Sequence, residues 1–200
     1  MRHQRQRVWT ALAAAVLLLS ACSSTMPTKA SGFLGSYNRL TLSSDGSMRM
    51  LRTPEALDPA HTVITTVEWR VTSANNLSPE ERARLLNKLR AGLQAQVNRL
   101  PATAEGRPAE IRAAITDIAT VSPSLNVLSV AMFAAPLDRG GASVEIEALD
   151  TGTRQQLAAM TMGYFAPISE LKARFSALAP ASIALDKASA QFGPLLRTDN

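Results

Sequence analysis

The sequence predicts an α+β domain: a mixed, mostly antiparallel sheet with helices packed on one face. Three observations predict it. Apolar residues alternate at the two-residue period of a strand in 61–71, 109–121, 142–149 and 156–164. A capped amphipathic helix pattern lies between the first two strands, and a second helical region closes the chain. The order is then strand, helix, strand, connection, strand, turn, strand, helices, which suits one layer of sheet against one layer of helix.

The chain opens with a different kind of segment. Arg2, Arg5 and Arg7 precede an apolar run from Val8 to Leu19 that only Thr10 interrupts. The run is too short for a bilayer core, which takes about 20 apolar residues. A basic start, a short apolar run and a small residue at the cut describe a secretory signal peptide over residues 1–21. At its end, Leu19-Ser20-Ala21-Cys22 resembles the lipobox of bacterial lipoproteins. The resemblance implies cleavage between Ala21 and Cys22, a diacylglycerol on the Cys22 sulfur, and a further acyl chain such as palmitate on its amine. Two or more chains make a stable membrane anchor where one does not. Ser23, where an Asp would imply inner-membrane retention, implies the outer membrane, facing the periplasm.

Residues 22–31 are small and polar, and predict a flexible tether. Its nine residues after Cys22 would reach roughly 30 Å if fully extended. A single α+β domain is expected over 32–200. Phe33, Leu34, Tyr37 and Leu40 are its first large side chains and should dock the chain's entry onto the core. Residues 47–52 alternate enough for a short edge strand. In the strand from His61, the period places Val63, Thr65, Val67, Trp69 and Val71 on one face, with Thr66, Glu68 and Arg70 on the other.

The helix signal is the clearest. Ser78-Pro79-Glu80-Glu81 supplies a capping serine, proline at the first helical position and glutamate at the third. Leu86, Leu89, Leu93, Val97 and Leu100 then form one stripe. The other face carries Arg82, Arg84, Lys88 and Arg90, which would be solvated or meet anionic head groups.

Arg107-Pro108 leads into the next strand, with Ile111, Ala113 and Ile115 on one face. In the following strand Val144, Ile146 and Ala148 point inward. Glu145 and Glu147 fit the solvent face, where Arg112 or Arg154 could pair with them across strands. Asp150 to Thr153 is a turn, and Gln156 to Tyr164 returns as the hairpin partner. Two stripes follow, Ile168, Leu171, Phe175 and Leu178, then Leu185, Ser189, Phe192 and Leu196, separated by Pro180.

The segment 126–136 stands out because it is apolar where a polar connection is the default. Val127, Leu128, Val130, Met132 and Phe133 would be either a buried crossover or an exposed contact segment for a partner or a second copy.

Composition narrows the chemistry. Without residues 1–21 the net charge of +5 loses three arginines and falls to +2, a weak footprint for nucleic acid. The only cysteine is Cys22, so no disulfide can form within the chain. His61 is the one histidine of the mature chain, which leaves no Cys/His metal cluster and one candidate for any catalytic triad. No cofactor is expected. Asp117, Asp138, Arg139, Glu145 and Glu147 are the polar residues to weigh as an acid–base constellation.

Three stretches in order after the lipobox carry a family resemblance: SGFLGSYNRL at 31–40, RAAITDIATVSPSLNV at 112–127 and DRGGASVEIEALDTGTRQQLA at 138–158. They resemble the bacterial lipoproteins called domain of unknown function 3313. Gly35-Ser36 before Tyr37 departs from the acidic-aromatic form of the first stretch. The resemblance implies a lipoprotein and a fold, and carries over no catalytic residue. The expectation is therefore a non-enzymatic interaction or envelope-accessory module, held to the membrane through Cys22, with an envelope protein or itself as partner and no nucleic acid. An envelope-polymer hydrolase or transferase, or a carrier of an apolar ligand, are the alternatives.

Overall fold

The computed structural model describes residues 24–73, 75–102, 106–120, 140–167 and 177–197. Cys22, Ala21 and the apolar segment 126–136 lie outside the described residues, as do Asp138, Arg139 and most of the 168–178 stripe.

Six strands form one sheet: β1 (Thr41–Leu42), β2 (Met48–Arg52), β3 (Leu57–Trp69), β4 (Arg107–Ala119), β5 (Gly141–Asp150) and β6 (Gln156–Phe165). Their spatial order is β1-β2-β6-β5-β4-β3. β3 and β4 are parallel and every other pair is antiparallel. The parallel pair follows from the helix between them, since a crossover is needed to return a strand in the same direction. The α+β expectation holds, with α1 (Pro79–Val97) and α2 (Ala179–Phe192) on one face of the sheet. β2 is not the edge strand expected, because two residues of β1 pair outside it.

Helix α1 starts where its signal lies. The Ser78 hydroxyl accepts from the Glu81 N–H and the Glu81 carboxylate accepts from the Ser78 N–H, a complete capping box. Its buried stripe is Leu85, Leu89, Leu93 and Val97, with Leu86 at the margin. They share one core with Ile111, Ile115, Val144, Ile146 and Met160 of the sheet and Leu185 and Phe192 of α2; α1 lies against β3 and α2, and α2 against β5 and β6.

The face assignment of β3 needs correction. Ile64 and Thr66 pair with the consecutive residues Ile111 and Arg112, so Thr65 is an inserted bulge residue. A bulge breaks strict alternation. Ile64 therefore joins Val67, Trp69 and Val71 against the core, while Val63 is left 52% exposed on the edge strand.

The other face of the sheet is covered too. Phe33, Leu34, Tyr37 and Leu40 do dock, forming a second cluster with Leu51, Ala114 and Ala159. The domain thus has three layers: helices, sheet, and a strap of residues 24–40. Within the tether expected over 22–31, Ser24, Thr25, Met26 and Ser31 are bonded to the sheet, and residues 27–30 are exposed. Phe165 N–H donates to Ser24 O (2.7 Å), Met26 N–H donates to Gly163 O (2.9 Å), and Thr25 bridges Tyr164. The strap takes up the edge of β6 beyond the point where β2 leaves it. A Cβ on Gly163 would stand 2.2 Å from Met26 O, so only glycine admits this approach.

Candidate functional site

The strap covers a row of polar side chains that alternation in β5 had placed in solvent. Glu145 is 1% exposed and Glu147 0%. The solvent-face expectation fails because residues 31–37 lie over both. Their strand neighbours on this face are Arg112, Ala114, Ala159 and Thr161, and the last three are small side chains that leave room for a covering layer.

Every carboxylate oxygen of the pair is occupied. Glu145 Oε1 accepts from the Ser31 N–H at 2.8 Å, and Oε2 accepts from the Ser31 hydroxyl at 2.7 Å and the Tyr37 hydroxyl at 2.6 Å. Glu147 Oε2 accepts from the Gly35 N–H at 3.0 Å and from Gln156 Nε2 at 2.8 Å. Glu147 Oε1 takes the Arg112 guanidinium, whose Nε lies at 3.1 Å. Of the two arginines expected near the pair, Arg112 is the one that arrives, and Arg154 pairs with Glu110 instead. The Arg112 guanidinium also stands 5.3 Å from the Phe33 ring centroid, a cation–π contact that holds strap to strand. Burial, and then the bond it donates to Glu145, push the Tyr37 phenol above its ordinary pKa.

A third buried carboxylate, Asp150, closes the β5–β6 turn. Its Oδ1 accepts from the N–H groups of Gly152 and Thr153, and its Oδ2 accepts from Arg107 Nε at 2.7 Å. Arg107 first, and then the Thr153 N–H, hold its carboxyl down at about 2. All three buried carboxylates among the described residues are therefore employed in holding chain segments together. Buried acids do acid–base chemistry when one is kept protonated or poised by its surroundings. Here every oxygen of the three is bonded to a donor on the strap, the sheet or the turn.

The remaining expected residues are dispersed. Asp117 accepts from the Ser73 hydroxyl at 2.8 Å near the end of β4. His61 lies in the interruption between Leu57 and Thr62, with Nδ1 2.5 Å from Asp58, and is exposed. Among the described residues no group of three His, Cys, Asp or Glu could hold a metal. The basic face of α1 is largely engaged: Arg82 lies over Trp69, Lys88 pairs with Asp186 at 2.7 Å, and Arg90 donates to Ile64 O. A cavity of about 180 Å³ lies under the strap between Lys29, Tyr37, Arg49 and Thr161. A wider groove of about 750 Å³ runs between the helices past Leu85, Lys88 and Ser182.

The residues that sequence reasoning missed are Ser31, Gly35 and Gln156. The signal available was the aromatic and apolar content of 33–40, which demands a surface to cover. No helix among the described residues is long and apolar enough to cross a membrane.

No curated protein matches the chain. Among solved structures, a dodecamer of a single-substitution variant of PelC from Paraburkholderia phytofirmans is 11% identical, with a TM-score of 0.43, and the likeness covers 76% of this chain and 98% of that one. A second PelC dodecamer from the same organism is 14% identical, with a TM-score of 0.44 over 71% and 95%. Protein XCC0632 of Xanthomonas campestris, of family DUF330, is 13% identical, with a TM-score of 0.36 over 72% and 92%. The model of a protein family of unknown function, DUF3313, matches residues 29–192, and the chain belongs to that family.

Proposed function

We propose that this protein is a lipoprotein of the outer membrane, facing the periplasm, that works as a non-enzymatic interaction module for an envelope protein or a second copy of itself. The sequence around Cys22 supports the anchor and Ser23 supports the membrane. The observation that carries the non-enzymatic reading is the full occupation of Glu145 and Glu147. A strap that begins two residues after the anchor consumes the acceptor capacity of the most buried carboxylates in the sheet. An acid bonded in this way on both oxygens fixes chain geometry, with three acceptor sites taken on Glu145 and four on Glu147.

The experiment has two arms. Cells expressing the full chain should incorporate labelled palmitate into it, and Cys22→Ala should abolish the label and release the protein to the soluble fraction. A Cys22→Ala chain that stays labelled would contradict the anchor. The purified protein should release no soluble fragments from peptidoglycan. Release that Glu145→Gln abolishes would contradict the non-enzymatic reading.

A further inference from the structure

We infer that the domain lies directly on the lipid surface, with one defined end of its sheet toward the head groups; the inference rests on the anchor proposed at Cys22. Its basis is the length of free chain. Only Ser23 separates Cys22 from Ser24, whose carbonyl is already bonded to Phe165 at the end of β6. Two residue steps span about 7 Å at most. Had the chain been free as far as Ser31, the reach would be roughly 30 Å and the domain could take any orientation.

The topology says which end is held. Phe165 ends β6 beside Gly141 at the start of β5, and Gly141 pairs with Ala119 near the end of β4. β3 runs parallel to β4 and so finishes at this end as well. Among the described residues the near end thus comprises 71–73, Thr120, Gly140 and the last residues of β6. The opposite end holds the β5–β6 turn and the starts of β3 and β4. From Gly141 to Asp150, β5 spans about 30 Å. At the near end Val71, Thr72, Ser73 and Thr120 carry no charge and stand beside Arg70 and Asp117, the latter bonded to Ser73, whereas Asp58, His61, Arg107, Asp150 and Arg154 collect at the far end. Small uncharged groups suit close approach to head groups of either sign, and the clustered charges stay in water.

The leash is enforced as well as short. The three pairings at Ser24, Thr25 and Met26 continue into the Ser31 and Gly35 bonds to the buried glutamates. Freeing the leash as far as Ser31 therefore means breaking the pairings at Ser24, Thr25 and Met26 together.

The test uses the full-length lipidated protein in phosphatidylethanolamine–phosphatidylglycerol vesicles. Acylation blocks the Cys22 thiol, so one introduced cysteine takes one fluorophore. Thr72→Cys and Thr120→Cys mark the near end on two elements, and Gln155→Cys marks the far turn; all three side chains are exposed. With a nitroxide on the lipid head groups, quenching at 72 and 120 should exceed that at 155 severalfold. Twenty Gly/Ser residues inserted between Ser23 and Ser24, with a mean span of roughly 25 Å, should bring the three labels to similar quenching. Vesicle-bound protein with equal quenching on the native leash would overturn the orientation alone. Unmutated protein that fails to float with vesicles would overturn the anchor, and the orientation with it.

Discussion

Glu147→Gln is the most informative single change in the polar layer. The amide keeps the side chain's shape and removes one charge. Four donor atoms converge on the Glu147 carboxylate: Gly35 N, Gln156 Nε2, and Nε and Nη2 of Arg112. An amide has one oxygen, so in either orientation its NH₂ faces donors. Turned toward Arg112, it confronts a guanidinium that cannot accept. Turned toward Gln156, it gains a partner only if Gln156 flips and gives up the bond that its Nε2 donates to Ser36 O. The Gly35 N–H cannot flip and is left unbonded. An unsatisfied buried donor costs about 1–3 kcal/mol. Breaking a buried charge pair costs about 3–5 kcal/mol, less here because the Arg112 side chain is 28% exposed. The two together predict a loss of about 3 kcal/mol. Glu145→Gln makes the control. Its Oε1 can still accept from the Ser31 N–H, and the Ser31 and Tyr37 hydroxyls can rotate to accept from the new NH₂. The expected loss there is about 1 kcal/mol. Urea unfolding of residues 23–200, followed by circular dichroism, measures both as midpoint shifts at constant slope. Losses under about 0.5 kcal/mol in both, the range of ordinary surface changes, would refute the buried layer. A larger loss in Glu145→Gln than in Glu147→Gln would refute the donor argument.

Three further outcomes follow from the same structure. Leu93 is fully buried between α1, the sheet and α2, so Leu93→Ala should cost about 2–5 kcal/mol in the same urea experiment. The Asp150 carboxyl is lowered from 3.8 to about 2, so its contribution to stability is present above about pH 4 and is lost as pH falls through about 2. Asp150→Asn should flatten that part of the stability curve. Tyr37 is shifted the other way: its contribution is complete below pH 10 and is lost as pH rises above it, and Tyr37→Phe should remove that decline.

Local signals in the sequence were good guides wherever one element decides its own structure. Ser78 to Glu81 carries the whole start of α1, and Leu89, Leu93 and Val97 carry its buried face, because capping and the 3.6-residue period are properties of neighbours in sequence. The Asp150 turn and the β5–β6 hairpin were legible for the same reason. The bulge at Thr65 was not, since an inserted residue has no fixed composition and is visible only in the pairing with β4. The burial of Glu145 and Glu147 was hidden more deeply. A Val-Glu-Ile-Glu-Ala run has the alternation of a half-exposed strand, and what covers its polar side lies more than a hundred residues earlier. Residues 24–31 have a linker's composition, and their order comes from bonds to the β6 backbone and to Glu145, which composition cannot report.

The central claim is that the chain just after Cys22 is a fixed strap. Amide hydrogen exchange in residues 23–200 tests it most directly. The N–H groups of Met26, Ser31 and Gly35 each have a named acceptor, so they should exchange orders of magnitude more slowly than free chain. Glu147→Gln should accelerate Gly35 more than Met26. Exchange of all three at the rate of unstructured chain, while β5 and β6 stay protected, would contradict the account.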